Sequence, residues 1–312
     1  MSQAEGFVLA LSGGIGGAKL ALGLYRILPP GALTVVANTG DDFEHLGLAI
    51  SPDIDTLLYT LAALDNPDPG WGRRDETWTF MKALGDLGGE TWFNLGDGDL
   101  ATHVERSRRL AAGESLSQIT DDFRRRLGIS ARLLPMSDDR VRTRLRTAEG
   151  WLDFQDYFVR RRCAPVVREI TFASADKARP QPAFLAALAD QSLRAVVICP
   201  SNPFISIDPI LSLPGVREGL RACAAPVIAV SPIIGGKAVK GPTAKMMTEL
   251  GLPVDAVAVA RHYGDILDHY VADEIDANEV GGLGVPVTLA PTLMRSLEDR
   301  DALAGVVLKA AG

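Results

Sequence analysis

The feature that most constrains the fold is a glycine-rich run near the start of the chain, LSGGIGGAK at residues 11–19. It follows an apolar run at residues 7–11 and precedes apolar residues at helical spacing over residues 20–28. This order predicts a buried strand, a tight turn and the start of a helix. Glycine has no Cβ, so backbone N–H groups can approach an anion closely, and the helix dipole adds positive charge there. The run therefore predicts an anion-binding loop; a turn that only packs a helix on a sheet is the alternative.

The glycine run departs from both common nucleotide-binding fingerprints. Ala18 and Leu20 stand beside Lys19 where a P-loop has glycine and Ser or Thr. Counted from Gly14 and Gly16, Lys19 also occupies the third glycine position of a dinucleotide fingerprint. The run thus indicates an anion and leaves its identity open.

Composition indicates a globular α/β protein. The chain has 312 residues, of which 47% are hydrophobic, enough for one large domain or two. No apolar run approaches the roughly 18 residues of a membrane-spanning helix. The net charge of -7 argues against general nucleic-acid binding. Anionic ligands therefore have to be met by local basic groups or by a metal.

The expected location is the cytoplasm. Residues 1–5, MSQAE, lack the basic and apolar parts of a signal peptide, so we expect no export. The three cysteines, Cys163, Cys199 and Cys223, are far apart and form no CxxC pair. Free thiols in a reducing compartment are the simplest interpretation of that spacing.

Carboxylates follow the second predicted strand, residues 33–37. That strand runs into NTGDD at residues 38–42, and SPDIDT at residues 51–56 begins a helix predicted to end near residue 64. Four aspartates thus fall within fifteen residues: Asp41, Asp42, Asp53 and Asp55. Helix capping by Asp53 or Asp55 accounts for one acid only. The others predict a divalent-cation site, because carboxylates beside phosphate-binding glycines commonly share Mg²⁺ with phosphates.

The middle of the chain is predicted to be an insertion at about residues 65–180. Residues 65–128 read as helical and polar, with a turn at residues 66–70, and contain WFNLGDGDLATH at residues 92–103. Asp99 would cap a helix from Leu100, and His103 lies one turn further on the same face. A cap plus a surface histidine is the alternative to a site. The preceding aromatic residues leave the two interpretations evenly balanced.

Residues 130–180 are predicted to be rich in β-structure. RVRTRLR at residues 140–146 alternates strictly, so a strand would place four arginines on one face: Arg140, Arg142, Arg144 and Arg146. That face is either solvated or lines the entrance to a site for anions. Residues 151–159 are predicted to be the hairpin partner of this strand.

Two later loops follow predicted strands, where open α/β sheets bind ligands. PSNP at residues 200–203 holds Ser201 and Asn202 between prolines, which suits either recognition of a base edge or a rigid turn. SPIIGGK at residues 231–237 is a second candidate anion loop, with Gly235, Gly236 and Lys237. The sequence shows no recognisable Ser-His-Asp or Cys-His arrangement for nucleophilic catalysis. A nucleoside diphosphate with a metal, and direct transfer at phosphorus, therefore fit best.

Seven motifs are in register with one known family: residues 13–19, 38–42, 52–56, 96–103, 135–139, 200–203 and 231–237. Together they resemble the 2-phospho-L-lactate transferase family (CofD) of coenzyme F420 biosynthesis, over about residues 7–280. The resemblance implies a single Rossmann-like α/β domain over 1–312, with a mostly parallel sheet flanked by helices and a helical and β-rich insertion. It also implies a homodimer that requires Mg²⁺.

The resemblance further implies a reaction. A phospho-three-carbon acid (2-phospho-L-lactate, enolpyruvyl phosphate or phosphoglycerate) would pass from its GDP-activated form to the deazaflavin Fo. GMP would leave, and F420-0 or dehydro-F420-0 would form. The identity of the acid and of the group that accepts the hydroxyl proton stays open.

Site residues are carried over position by position. Asp41 and Asp55 are the implied metal ligands, with Asp42 and Asp53 as alternates, and Asp41, Asp42 and Asp55 are the implied catalytic carboxylates. Residues 92–103 would face Fo. The implied contacts of nucleotide and substrate are Gly13, Gly14, Gly16, Gly17, Lys19, Asp99, His103, Ser201, Asn202, Gly235, Gly236 and Lys237.

Two other functions compete with the transferase. Relatives of this fold bind nucleotide sugars and regulate metabolism, in the manner of the gluconeogenesis factor, and they share the glycine loop and the acid pair. A nicotinamide-dependent oxidoreductase is the other candidate, and the imperfect glycine fingerprint disfavours it. The aromatic residues before Asp99 and the PSNP loop favour the transferase.

Overall fold

The structure, a computed structural model, describes residues 6–66 and 70–312. Residues 1–5, from which we predicted that the chain is not exported, lie outside the described residues. Residues 67–69, the centre of the turn predicted at 66–70, do so as well. None of the helices in the described ranges is long and apolar enough to cross a membrane.

Strands and helices are numbered in chain order. The strands are β1 (Phe7–Ser12), β2 (Leu33–Ala37), β3 (Phe43–His45), β4 (Leu48–Ile50), β5 (Arg132–Pro135), β6 (Arg142–Thr147), β7 (Gly150–Asp153), β8 (Glu169–Ala173), β9 (Leu193–Ile198), β10 (Val227–Val230), β11 (Ile233–Ile234), β12 (Lys237–Ala238), β13 (His269–Ala272) and β14 (Val287–Leu289). The helices are α1 (Gly14–Ile27), α2 (Pro52–Leu61), α3 (Thr79–Asp86), α4 (Asp97–Ala111), α5 (Leu116–Arg126), α6 (Pro182–Leu188), α7 (Asp208–Leu211), α8 (Val216–Ala222), α9 (Thr243–Glu249), α10 (Ala256–Tyr263), α11 (Ala277–Val280) and α12 (Leu297–Ala310).

The centre of the fold is a seven-stranded parallel sheet in the order β14-β13-β10-β9-β1-β2-β5. Side chains alternate across each strand, so the sheet feeds two cores. In β1, Val8 and Ala10 face the core beneath α1, α2 and α12, whereas Leu9 and Leu11 face the core beneath α6 to α10. The predicted Rossmann-like sheet flanked by helices is confirmed.

The span 65–180 contributes to both the main sheet and a separate layer. Strand β5 lies within it and is the edge strand beside β2. The remainder forms the helices α3 to α5 and a small antiparallel sheet in the order β7-β6-β8. The boundaries of an insertion subdomain stay a prediction.

Three of the four predicted arginines alternate along the strand, Arg142, Arg144 and Arg146, and Arg142 is half-buried. Arg144 and Arg146 lie on the outer face of β6, Leu145 is buried between them, and Arg140 precedes the strand. The hairpin partner is shorter than predicted, because β7 ends at Asp153. Phe154 and Tyr157 follow at helical spacing and are both buried, so the chain turns into a short helical segment that packs them into the core.

One contact between helices gives a test of this packing. A Cβ on Gly23 would lie far inside van der Waals contact with the backbone carbonyl of Arg300, where α1 crosses α12. Gly23→Ala should therefore lower the free energy of unfolding by about 1–3 kcal/mol, as overpacking does. The matched control is Gly305→Ala in α12, where a Cβ would meet open space. That control should stabilise the helix by roughly 0.5–1 kcal/mol. Urea denaturation measures both, and equal effects would contradict the packing described.

Candidate functional site

The loops at the carboxyl ends of the parallel strands surround a cavity of about 490 Å³. This is the expected ligand edge of an open α/β sheet. Eleven of the predicted site residues line it: Gly13, Gly14, Gly16, Lys19, Asp41, Asp53, Asp55, Asp99, His103, Ser201 and Asn202. A wider depression of about 800 Å³ lies between α4 and α5 and holds none of them. Its walls carry mainly charged side chains that are paired with one another.

The glycine loop is pressed against the PSNP loop. Helix α1 begins at Gly14, whose φ of +63° suits glycine. A Cβ on Gly16 would collide with the carbonyl oxygen of Pro200, and one on Gly17 would lie 2.5 Å from the hydroxyl of Ser201. Gly17 is buried and does not line the cavity, so its role in the structure is close packing.

Asp53 ties the glycine loop to the end of β2. The backbone N–H of Gly14 donates to Asp53 Oδ1 at 2.7 Å, and Asn38 Nδ2 donates to Asp53 Oδ2 at 2.9 Å. Asn38 Oδ1 in turn accepts the N–H of Gly40 at 2.8 Å. Asp53 lies in the first turn of α2 but does not cap it. Its carboxylate instead connects the start of α2 to two loops that the sheet alone would leave unconnected.

The neighbouring carboxyls are buried. Burial raises the pKa of Asp41 well above its usual value, and the nearby Asp53 adds to the effect. Burial raises the pKa of Asp42 to about 7, with Arg142 acting in the opposite direction, and that of Asp53 to about 6. Within the described residues, Asp41 Oδ1 and Asp42 Oδ1 have no hydrogen-bond partner. Buried oxygens without partners are suited to a ligand that supplies positive charge.

Asp55 belongs to a second, hydrogen-bonded group. Both terminal nitrogens of Arg106 donate hydrogen bonds to the Asp55 carboxylate, one of them at 3.0 Å to Oδ2. The same guanidinium lies 3.3 Å from His103 Nδ1. Arginine only donates, so Nδ1 accepts and the proton sits on Nε2, 3.1 Å from Asp99 Oδ2. Tyr59 donates to Asp99 Oδ1 at 2.6 Å.

The predicted metal ligands line one cavity but fall into different groups. Asp55, Asp99 and His103 offer ligand atoms that all lie within 4.8 Å of one another. Asp41 is not part of that group and lies instead beside Asp42 and Asp53. The pairing of Asp41 with Asp55 at a metal stays a prediction.

The motif GDGD forms the start of α4, and its first aspartate caps α3. Helix α4 begins at Asp97, two residues after Leu95, and Asp99 lies in its first turn rather than at the cap. The carboxylate of Glu76 accepts the N–H groups of Gly98 and Asp99, both at 2.7 Å. Asp97 in turn accepts the first N–H groups of α3, at 3.0 and 3.1 Å. The anion at this helix N-terminus is therefore the protein's own Glu76.

Aromatic side chains form part of the cavity wall. Phe93, Phe154 and Phe158 line it, and the rings of Phe154 and Phe158 stack with centroids 5.2 Å apart. Trp92, which was predicted to face Fo with this segment, is not part of the lining. It packs edge-on against His45, and Arg160 lies 5.8 Å from its ring centroid.

The PSNP loop uses part of its polar capacity internally. Asn202 Oδ1 accepts the N–H of Phe204 at 2.9 Å, and Asn202 Nδ2 lies 3.6 Å from the sulfur of Met246. The hydroxyl of Ser201 accepts the N–H of Gly13 at 3.3 Å. The hydroxyl of Ser201 and the second N–H of the Asn202 amide are therefore the groups of this loop that can donate to a ligand.

The second glycine loop is a β-hairpin turn. Gly235 and Gly236 have φ of +54° and +72° and join β11 to β12, as a tight two-residue turn requires. The N–H of Gly235 donates to the buried Asp276 at 2.8 Å. Gly235, Gly236 and Lys237 do not line the cavity, whereas Ile234 and residues 239–243 do. The glycines serve the hairpin, and the adjoining segment forms the cavity wall.

Comparison with known proteins identifies the family. The family model described as 2-phospho-L-lactate transferase CofD matches residues 8–293. The chain belongs to the CofD family. The Phosphoenolpyruvate transferase of Kitasatospora aureofaciens is 41% identical over 314 residues, with 97% of each chain covered. That of Thermobifida fusca is 41% identical over 318 residues, again with 97% of each covered. A solved structure of a UPF0052 family protein from Bacillus halodurans has a TM-score of 0.66 at 14% identity, covering 98% of this chain and 100% of its own, and supports the fold alone.

Sequence reasoning missed three residues of this CofD site. Tyr59 lies four residues after Asp55 on α2, and Arg106 lies three residues after His103 on α4. Both spacings place the pairs on one helix face, so helical periodicity was the available signal. Glu76 had no such signal, because it reaches the start of α4 from a loop.

The buried acids predict a pH dependence of stability for the metal-free protein. Folding raises the pKa of Asp42 to about 7, so the protonated form stabilises the fold. This contribution is complete below the usual aspartate pKa of about 3.9 and is lost as the pH rises through 7. Thermal denaturation in a chelator should therefore show Asp42→Asn gaining stability relative to wild type between pH 4 and 7. Parallel curves for the two proteins would contradict the burial of this carboxyl.

Proposed function

We propose that this CofD-family protein transfers an enolpyruvyl phosphate group from its GDP-activated form to the deazaflavin Fo, giving dehydro-F420-0 and GMP. The observation that carries the proposal is a single cavity in which a glycine loop, buried carboxylates and an aromatic wall meet. The choice of acid follows the names of the relatives, which are phosphoenolpyruvate transferases. A homodimer and a cytoplasmic location stay predictions.

The diphosphate of the donor is proposed to lie against the first turn of α1. The first N–H groups of a helix have no partner within it, and the helix dipole is positive there. The N–H of Gly14 is taken by Asp53 and that of Gly13 by Ser201, so Ile15 and Gly16 supply the remaining donors at the cavity. Lys19 lines the same end of the cavity, one turn further along the helix.

The residues present fit Mg²⁺. Asp41 lines the cavity and has a buried oxygen with no partner among the residues described, and carboxylate oxygens are the ligands that Mg²⁺ prefers. Asp53 and Asp55 are weaker ligands than Asp41, because both oxygens of each already accept hydrogen bonds, those of Asp55 from Arg106. We propose Asp41 and Asp55 as the ligands, with Asp42 as the alternate. When bound, the ion would neutralise negative charge on the diphosphate.

The acceptor is proposed to stack on the aromatic wall and to offer its hydroxyl to Asp99. Although burial acts to raise it, hydrogen bonding from His103 and Tyr59 lowers the pKa of Asp99. An ionised carboxylate at the cavity surface can accept the hydrogen bond of the attacking hydroxyl and orient its oxygen for in-line attack at phosphorus. Positioning and electrostatics would then supply most of the rate enhancement, as in other phosphoryl transfers.

A direct assay tests the proposal. The purified protein is incubated with Mg²⁺, Fo and each GDP-activated acid in turn (enolpyruvate, lactate or glycerate), and products are weighed by mass spectrometry. We expect GMP and dehydro-F420-0 from the enolpyruvyl donor at the highest kcat/KM. Preference for another acid would correct the donor. If no product forms with any of the three donors and a UDP-sugar raises the melting temperature, the result would favour the nucleotide-sugar-binding regulator.

Asp41→Asn should lower kcat/KM by about 100-fold, because the variant keeps the shape of the buried side chain and removes its charge. Asp190→Asn is the matched control: Asp190 is an exposed acid just before β9, away from the cavity, and its carboxylate accepts hydrogen bonds from Ser192. Steady-state kinetics at saturating Mg²⁺ measures both. Equal activity of the two variants would remove Asp41 from the mechanism.

A further inference from the structure

The guanidinium group of Arg106 is buried in the protein beside the cavity. Its side chain is only 1% exposed. Burying a charge is costly unless it is paired, and Arg106 is paired with Asp55 through both terminal nitrogens. A third contact, 3.3 Å from the guanidinium to His103 Nδ1, holds that ring in place. Arg106 thus orients two of the side chains that line the cavity.

The surroundings of Arg106 are strongly acidic. Four carboxyl groups line the cavity, Asp41, Asp53, Asp55 and Asp99, and Asp42 is buried next to Asp41 in the chain. Two arginines act on them, the buried Arg106 and the half-buried Arg142. Arg142 lies beside Asp42, whereas Arg106 interacts with Asp42, Asp55 and Asp99. Arg106 is hydrogen-bonded to Asp55 in one carboxylate group and acts electrostatically on Asp42 in the other.

We propose that Arg106 is a positioning residue with two roles at this carboxylate cluster. It holds the side chains of Asp55 and His103 in the orientation used for transfer, and it lowers the affinity of the cluster for a divalent cation. The inference rests on the proposed function only in identifying that cation as the one used in transfer. Arg106 has two opposing effects. Its positive charge repels a divalent cation, and its hydrogen bonds occupy the oxygens of Asp55. Its planar guanidinium also fixes the orientation of the Asp55 and His103 side chains.

The two effects can be separated by substitution. Arg106→Gln removes the charge and frees Asp55, so Mn²⁺ should bind about tenfold more tightly, while kcat falls by at least about tenfold because Asp55 and His103 lose their orientation. Arg106→Lys keeps the charge but loses the planar fork. Its affinity for Mn²⁺ should therefore stay within about twofold of wild type, while kcat still falls at least about tenfold.

The binding experiment uses Mn²⁺ alone, without nucleotide or acceptor. Free Mn²⁺ is measured by electron paramagnetic resonance at pH 8, where protons compete little for carboxylates. Arg109→Gln is the control: Arg109 lies on the same helix but pairs with Glu114 and Asp122 away from the cavity. It should change neither the Kd for Mn²⁺ nor kcat.

The results distinguish positioning from simple support of the fold. Loss of structure cannot tighten metal binding, so a lower Kd for Mn²⁺ in Arg106→Gln would support the proposal. An unchanged or higher Kd would overturn it. If Arg106→Gln does not fold, Arg106→Lys decides the case, and an unchanged kcat there overturns the proposal. Should the wild type be inactive with all three donors, a tighter Kd in Arg106→Gln would support the restraint of the cluster while the proposed reaction fails.

Discussion

Asp53 accepts hydrogen bonds from two loops that the parallel sheet brings near each other but does not join. The N–H of Gly14 at the start of α1 and the side chain of Asn38 at the end of β2 both converge on its buried carboxylate. A charged acceptor makes these bonds stronger than bonds between neutral groups. The first turn of α1 is thereby fixed relative to the loop that carries Asp41, and both line the same cavity.

Much of this architecture follows from local sequence. The glycine run, placed between a buried strand and an amphipathic stretch, predicted β1, the turn and α1, and strict alternation predicted the arginines on the outer face of β6. The rule that ligands bind at the carboxyl ends of parallel strands brought distant motifs to one cavity, from Gly13 to Asn202. The family likewise could be inferred from the sequence, because several short motifs were in register.

The remainder depends on contacts between distant residues. GDGD has the composition of a ligand loop, yet its helix N-terminus is already occupied by Glu76, and Gly235 and Gly236 satisfy the geometry of a hairpin. Composition cannot distinguish an internal anion from a ligand, because both satisfy the same N–H groups. The pairing of Asp55 with Arg106 was likewise invisible, since it joins α2 to α4 across 51 positions of the sequence.

The central claim is that one cavity holds a nucleoside diphosphate at the first turn of α1 and a divalent cation at Asp41. A crystal structure with GDP and Mn²⁺, with data collected at the manganese absorption edge, tests both parts at once. We expect an anomalous peak bonded to Asp41 and a diphosphate beside Ile15 and Gly16. An anomalous peak away from Asp41, or a diphosphate at the hairpin turn of Gly235, would contradict it.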